Sequence, residues 1–187
     1  EVVGRRHHEG RLLSAAVDRP PIEERLAAAG LPPLRRTAWI EVDLGALLGN
    51  VGAIREMSGG LPVMPVVKAD AYGHGMVPVA RALEGAGVAT LCVATLDEAA
   101  VLREAGVAVE ILVLYPIPPD EVAPATRLDV TLAGGAPAPT TALLAAATAA
   151  GVTADLRIEL EVETGLGRGG ATPEGAVAVA KSLRSAG

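Results

Sequence analysis

A chain of 187 residues, half of them apolar, is long enough to bury a core and too hydrophobic to stay disordered. Its formal net charge of −6 and the lack of any Lys/Arg stripe interleaved with aromatics exclude a nucleic-acid footprint, which leaves small molecules and other protein chains as expected partners. The single cysteine, Cys92, excludes an internal disulfide framework, fits a reducing compartment and reads as a buried, inert thiol.

The basic opening, EVVGRRHHEG, has no apolar run of the kind a secretory signal needs. His7 and His8 have no further ligands at a useful spacing, so no metal site is expected. Residues 1–36 read as an N-terminal extension, in which Pro-Pro pairs at 20–21 and 32–33 bracket a short helical stretch, IEERLAAAG. From Thr37 onward, short β-branched runs alternate with Ala-rich stretches that close on glycine, the pattern of βα units around a parallel sheet.

In chain order WIEVDL predicts a first strand and GALLGNVGAIREMSGG a helix. VMPVVKA predicts the next strand, which Pro65 starts no earlier than itself, and MVPVARALEGAG a helix. TLCVATL is a strand and DEAAVLREAG a helix, opened by a capping box between Thr95 and Glu98. EILVLYPI and RLDVTLA are strands, with a helix between them that the pattern marks only weakly. TTALLAAATAAG is a helix, LRIELEVETG the last strand, and Thr172 and Pro173 serve as N-cap and first residue of EGAVAVAKSLRSAG. Residues 130–154 carry no charge, but Gly134, Gly135, Pro137 and Pro139 interrupt them, so no membrane span is expected. From VMPVVKA onward this makes five strand-then-helix units. A (β/α) barrel of TIM type has eight and takes about 250 residues. Residues 37–187 are therefore expected to form the N-terminal part of such a barrel, incomplete at about five of eight units.

Two constellations carry chemistry. Of the sixteen basic residues only Lys68 and Lys181 are lysines, so the chain uses arginine wherever it needs only a surface cation. Lys68 ends a strand, where parallel α/β folds bind ligands, and an amine can lose its proton and attack a carbonyl as a guanidinium cannot. The second is RIELEVETGLGR, residues 157–168. Period-two alternation sets Ile158, Leu160 and Val162 on one face and Arg157, Glu159, Glu161 and Glu163 on the other. Facing a barrel interior, that charged row needs partners; an edge strand facing water is the alternative that an open sheet permits. Tyr115 reads as core.

VVKADAYGHG, residues 66–75, resembles almost residue for residue the cofactor-attachment segment of the alanine racemase family, in which the lysine holds pyridoxal 5'-phosphate as an internal aldimine. RTAWIEVDLGAL, LCVATLDEAAVLREAG and ILVLYPIPP are similar to the family's opening strand and its second and third barrel units. VETGLGR resembles its Asp-Thr-Gly-Met-Gly-Arg segment. The likeness runs from about Thr37 to Gly170. It implies that Lys68 carries the cofactor and acts as a catalytic base, and that Tyr72 touches the cofactor phosphate. It implies that Arg168 bonds near the cofactor's phenolic oxygen and the substrate carboxylate. Glu161 stands where many members carry a carbamylated lysine that supports the arginine, and Glu163 replaces the family's aspartate. Asp70 and His74 are expected to fix the loop.

The resemblance further implies interconversion of L- and D-alanine, supplying D-alanine for cell-wall synthesis, by a cytoplasmic homodimer whose active site is shared between subunits. Burial and cationic neighbours are expected to pull Lys68 below its ordinary pKa of about 10.4. The family's opposite base is a tyrosine of a C-terminal β domain of the partner subunit, which this chain does not contain, so the chain alone is expected to be inactive. Two alternatives stay open: a non-catalytic pyridoxal-phosphate-binding protein of cofactor homeostasis on a related barrel, and a racemase for another amino acid such as serine. A decarboxylase on the same barrel type ranks behind both.

Overall fold

A computed structural model describes residues 20–186; His7 and His8 lie outside the described residues. The chain divides into two compact units, Glu1–Glu41 and Val42–Gly187.

In the first unit, Pro21 sets up helix α1 (Ile22–Ala28), the stretch expected between the proline pairs. Its Arg25 pairs with Glu41 at 2.5 Å, and Trp39 Nε1 donates to the other oxygen of Glu41 at 3.0 Å. WIEVDL, expected as a strand, is not one: no sheet ladder among the described residues reaches it. A strand exists only by pairing. Here the segment ends instead in a cap, since Asp43 accepts the Ala46 N–H at 3.0 Å and opens helix α2 (Leu44–Met57).

The second unit continues with a short helical segment α3 (Lys68–Gly73) and helix α4 (Met76–Gly85). Strand β1 (Thr90–Val93), helix α5 (Leu96–Glu104) and strand β2 (Glu110–Val113) follow. After β2 a 3-10 turn, Pro119–Glu121, leads into the weakly marked helix, α6 (Val122–Arg127). Strand β3 (Thr131–Gly134), helix α7 (Pro137–Ala150), strand β4 (Arg157–Leu160) and helix α8 (Pro173–Ala186) complete it. The four strands are parallel and lie in chain order. Of VMPVVKA only a bridge pairs: Val67 N–H donates to Cys92 O at 2.8 Å and Cys92 N–H to Pro65 O at 2.9 Å, beside β1. Pairing begins at the proline because it has a carbonyl but no N–H to offer. Five consecutive parallel positions, each followed by a helical segment, make a stretch of (β/α) wall.

Alternation then sorts the two faces of the sheet. Leu91, Val93, Ile111, Val113 and Leu132 are all but fully buried under the helices, against Leu83, Leu102, Val122 and Ala147. Thr90, Cys92, Glu110, Leu112 and Thr131 fall on the opposite face. There the Glu110 carboxylate accepts from Thr90 Oγ1 at 3.0 Å and Thr131 Oγ1 at 2.8 Å, so three adjacent strands share one anion. Burial, with Glu159 and Glu110 nearby, pushes the Cys92 thiol up to about 11, in keeping with an inert role. On β4, which ends the strand order, Arg157 and Glu159 are exposed, and Arg157 pairs with Asp129 at 2.6 Å. Arg157 and Glu159 thus lie on the same face as Glu110 and Thr131, the side of the sheet away from the helices.

At the amino ends of the strands Arg103 collects four carbonyls: Val107 and Val109 at 2.8 Å, Leu128 at 2.9 Å and Asp129 at 3.0 Å. One guanidinium therefore fixes the turns that feed β2 and β3, a use of its five donors that an ammonium could not copy.

Candidate active site

The site grows from the opposite, carboxyl ends of the strands. Lys68 leaves the Val66 bridge, and the chain at once winds the wrong way. Ala69, Asp70, Ala71 and Tyr72 all sit at φ between 52° and 55°, a left-handed turn without a glycine in it. Each such residue costs about 1 kcal/mol or more relative to the right-handed form. Contacts from outside hold the turn. The Glu98 carboxylate accepts Ala69 N–H at 2.7 Å with one oxygen and Ala94 N–H at 2.7 Å with the other. Asp70 Oδ1 accepts the Met76 N–H at 2.6 Å and so caps α4, while His74 Nδ1 meets Ala71 O at 2.7 Å. Asp70 and His74 do fix the loop. Glu98 belongs also to the expected capping box with Thr95, which is present.

Lys68 is half-buried, and its Nζ donates to Tyr115 OH at 3.0 Å while lying 5.1 Å from the Tyr115 ring centre. In the free chain the lysine is shifted the other way from the depressed amine expected of the working site. The Tyr115 hydrogen bond outweighs desolvation, and the fields of Tyr115 and Tyr72 outweigh that of Arg168, so the amine is held above its ordinary range. Reciprocally, the Lys68 hydrogen bond and charge hold the Tyr115 phenol below its own. Tyr115 was expected in the core; it is 42% exposed, because β2 ends at Val113 and the tyrosine stands past the helix-covered sheet. The available signal was positional: a phenol just beyond a strand's carboxyl end, like Lys68 itself.

Tyr115 also lines a cavity of about 540 Å³ over the ends of β2, β3 and β4, and Arg168, Glu161 and Glu159 line it too. Apolar groups such as Leu112, Ile117 and Leu143 form much of the rest, the usual makeup of a small-molecule site. Tyr72 stands on the left-handed turn, 61% exposed and outside that lining.

Arg168 is delivered by a loop that folds back on β4. Glu161 N–H donates to Gly134 O and Ala171 N–H to Glu161 O, both at 2.8 Å, and Ala136 N–H to Gly169 O at 3.0 Å. Inside the loop the Glu163 carboxylate accepts Gly165 N–H at 2.5 Å and Arg168 N–H at 2.9 Å. Backbone N–H groups of Gly167, Gly165 and Arg168 accordingly hold Glu163 below the usual carboxylate range. Glu161 shares the cavity with Arg168, but the carboxylate bonded to the loop is Glu163, whose role was not read from the sequence. Gly170 is required by closeness: a Cβ there would lie 2.6 Å from the Glu163 nitrogen.

Parallel strands that offer an amine beside a cavity and an arginine inside it, all at their carboxyl ends, define a (β/α)-barrel binding site. A family model described as alanine racemase, N-terminal domain, matches residues 42–187, and the chain belongs to that family. It is 50% identical over 129 residues to an alanine racemase of Beutenbergia cavernae, covering 69% of this chain and 34% of that protein. An alanine racemase structure from Streptomyces coelicolor superposes with a TM-score of 0.68 at 39% identity, over 77% of this chain and 39% of the other. A histidine racemase from Leuconostoc mesenteroides gives a TM-score of 0.73 at 31% identity, over 82% of this chain and 41% of that one. The chain thus spans about a third of the length of the curated relative and about two fifths of these structures.

Proposed function

We propose that this chain is the lysine-bearing part of an alanine racemase that uses pyridoxal 5'-phosphate to interconvert L- and D-alanine. The observation that carries the reading is the amine of Lys68 at a strand's exit, joined through Tyr115 to a cavity that Arg168 also lines. The residues fit the group. A cavity of about 540 Å³ lies within the ligand-site range of roughly 300–1,000 Å³. Lys68 is a primary amine for an aldehyde, Arg168 a fork of donors for a carboxylate or phenolate, and the Tyr72 phenol a donor for phosphate. When bound, such a cofactor withdraws electron density from the amino acid Cα, so that its proton becomes removable.

The chain's own groups would then divide the work. Lys68, once freed and deprotonated, takes or returns the Cα proton on one face. Arg168 orients the substrate carboxylate, with Glu161 adding anionic charge to the same cavity. Racemisation needs a base on the opposite face as well. Tyr115 is engaged by Lys68 itself at 3.0 Å, so in our reading the second base would be a group contributed by a homodimer partner. The chain alone is accordingly expected to turn over alanine negligibly. A cytoplasmic setting that supplies D-alanine to cell-wall synthesis belongs to the same proposal; among the described residues no helix is long and apolar enough to cross a membrane.

The test is to mix the protein with pyridoxal phosphate, reduce with borohydride and map the labelled peptide. Label on Lys68, lost in Lys68→Arg, supports the reading. Label on Lys181 alone refutes it. The likeness to a histidine racemase favours a second reading, an amino-acid racemase of other specificity. Protection of Lys68 from labelling by alanine, serine or histidine, each added before the borohydride, separates the two.

A further inference from the structure

We propose that Tyr115 is a positioning residue for Lys68, which parks the amine at the mouth of the cavity and must release it before that amine can bond a carbonyl compound. The inference rests on Lys68 being the carbonyl-bonding amine.

The hold has two points. The Tyr115 hydroxyl accepts from Nζ at 3.0 Å, and the face of the same ring lies 5.1 Å from that nitrogen. Both contacts favour the ammonium: a charged N–H donor bonds the hydroxyl more strongly than a neutral amine does, and the ring quadrupole attracts positive charge. The contact also spans the sheet. Lys68 follows the Val66 bridge and Tyr115 follows β2, with β1 between them, so it is not a by-product of neighbouring strand ends. The left-handed turn aims the lysine stem, and Glu98 pins that turn by its first N–H. Other charged or titratable groups facing the pair are Tyr72 from α3, Arg168 from the loop after β4 and Glu98 from α5. Among the influences on the Lys68 amine, the Tyr115 hydrogen bond is the largest.

An ammonium has no lone pair. For Lys68 to bond an aldehyde it first gives one proton to solvent. Its nitrogen then forms a bond to the carbonyl carbon, and the carbonyl oxygen leaves as water with the two remaining amine hydrogens. A contact that favours the ammonium holds the amine in place and delays this step, so taking the hydroxyl away trades placement for reactivity.

The experiment uses the full chain and a probe unrelated to the cofactor: reductive methylation by formaldehyde and cyanoborohydride, followed peptide by peptide from pH 6 to pH 10. Lys181 is the internal standard. In Tyr115→Phe we expect Lys68 methylation at pH 8 to rise about threefold or more relative to Lys181, with its half-maximal pH moved down. Tyr115→Leu, which removes the ring as well, is expected to move further in the same direction. A Lys68 to Lys181 ratio and a pH midpoint unchanged in Tyr115→Phe would overturn the proposal. Circular dichroism confirms folding, and the phenylalanine variant removes one oxygen at a 42% exposed position, so it remains informative if the leucine variant unfolds. Pyridoxal phosphate trapping runs in parallel. Should it never label Lys68 while methylation shifts as expected, the cofactor reading fails and the role of Tyr115 stands.

Discussion

The two loops that present cations at the carboxyl ends of the strands are built on opposite plans. The Lys68 turn is fastened from outside, by Glu98 of α5 on Ala69 and Ala94 and by its own Asp70 on Met76 at the head of α4. The Arg168 loop is fastened largely from within, by Glu163 on Gly165 and Arg168 and by glycine backbone laid against backbone. A loop held by its neighbours inherits their rigidity, whereas one held by its own carboxylate depends on the charge of that carboxylate. The lysine side should therefore follow the integrity of α5, and the arginine side should follow pH.

Glu98→Ala is expected to break the first loop most severely. It leaves the N–H groups of Ala69, Ala94 and Thr95 without their acceptor, at a cost of about 3 kcal/mol in urea unfolding, and speeds amide exchange at Ala69. Glu98→Gln, which keeps one carbonyl oxygen, should recover part of both. Gly170→Ala strikes the second loop alone. Its Cβ would meet the Glu163 nitrogen at 2.6 Å and Cα at 2.9 Å, both backbone, so the loop must shift, at about 2 kcal/mol and with exchange at Ala69 unchanged. Thr95→Ala removes the other half of the capping box while leaving Glu98 on Ala69. It should cost about 1 kcal/mol and spare the lysine turn, which separates helix capping from loop fastening.

The smallest effect is the pH response of the Arg168 loop. The folded pKa of Glu163 is depressed, so its stabilising contribution is full above the unfolded carboxylate value of roughly 4.3 and fades as pH falls through the lower folded value. The Gly165 and Arg168 amide resonances should titrate with a midpoint below that of a free glutamate, and Glu163→Gln should abolish the titration. A midpoint at or above the free value would remove the contrast between the loops.

Much of this architecture was readable in the residues. Capping chemistry announces itself, and Thr95 with Glu98, Thr172 on Gly175 N–H at 3.1 Å, and Gly151 at φ 71° all stand where the helix boundaries were expected. Strand lengths were less legible. EILVLYPI reads as eight extended residues, yet the strand runs only over Glu110–Val113, with Leu114 N–H on Val93 O and Tyr115 N–H on Ala94 O as its last bonds to the β1 side, because a ladder ends where its neighbour ends and not where β propensity does. The left-handed turn was invisible for a different reason. Of Ala69, Asp70, Ala71 and Tyr72 only the aspartate has any local tolerance for positive φ, and the glycines that would signal it come afterwards, at 73 and 75. Lys68 and Arg168 could be singled out by scarcity and motif; Tyr115 could not, since a tyrosine after an apolar run looks like core until the sheet is seen to stop short of it.

That mirror-wound turn inverts a familiar rule. Across most of a protein, exchanging alanine for glycine loosens the fold, but at Ala69, with φ at 52°, it should ease the native backbone instead. A chain with glycine there gains tolerance and loses commitment: the peptide next to the amine acquires other ways to lie, and the nitrogen other directions to point. The discomfort of four residues is what leaves Lys68 a single aim.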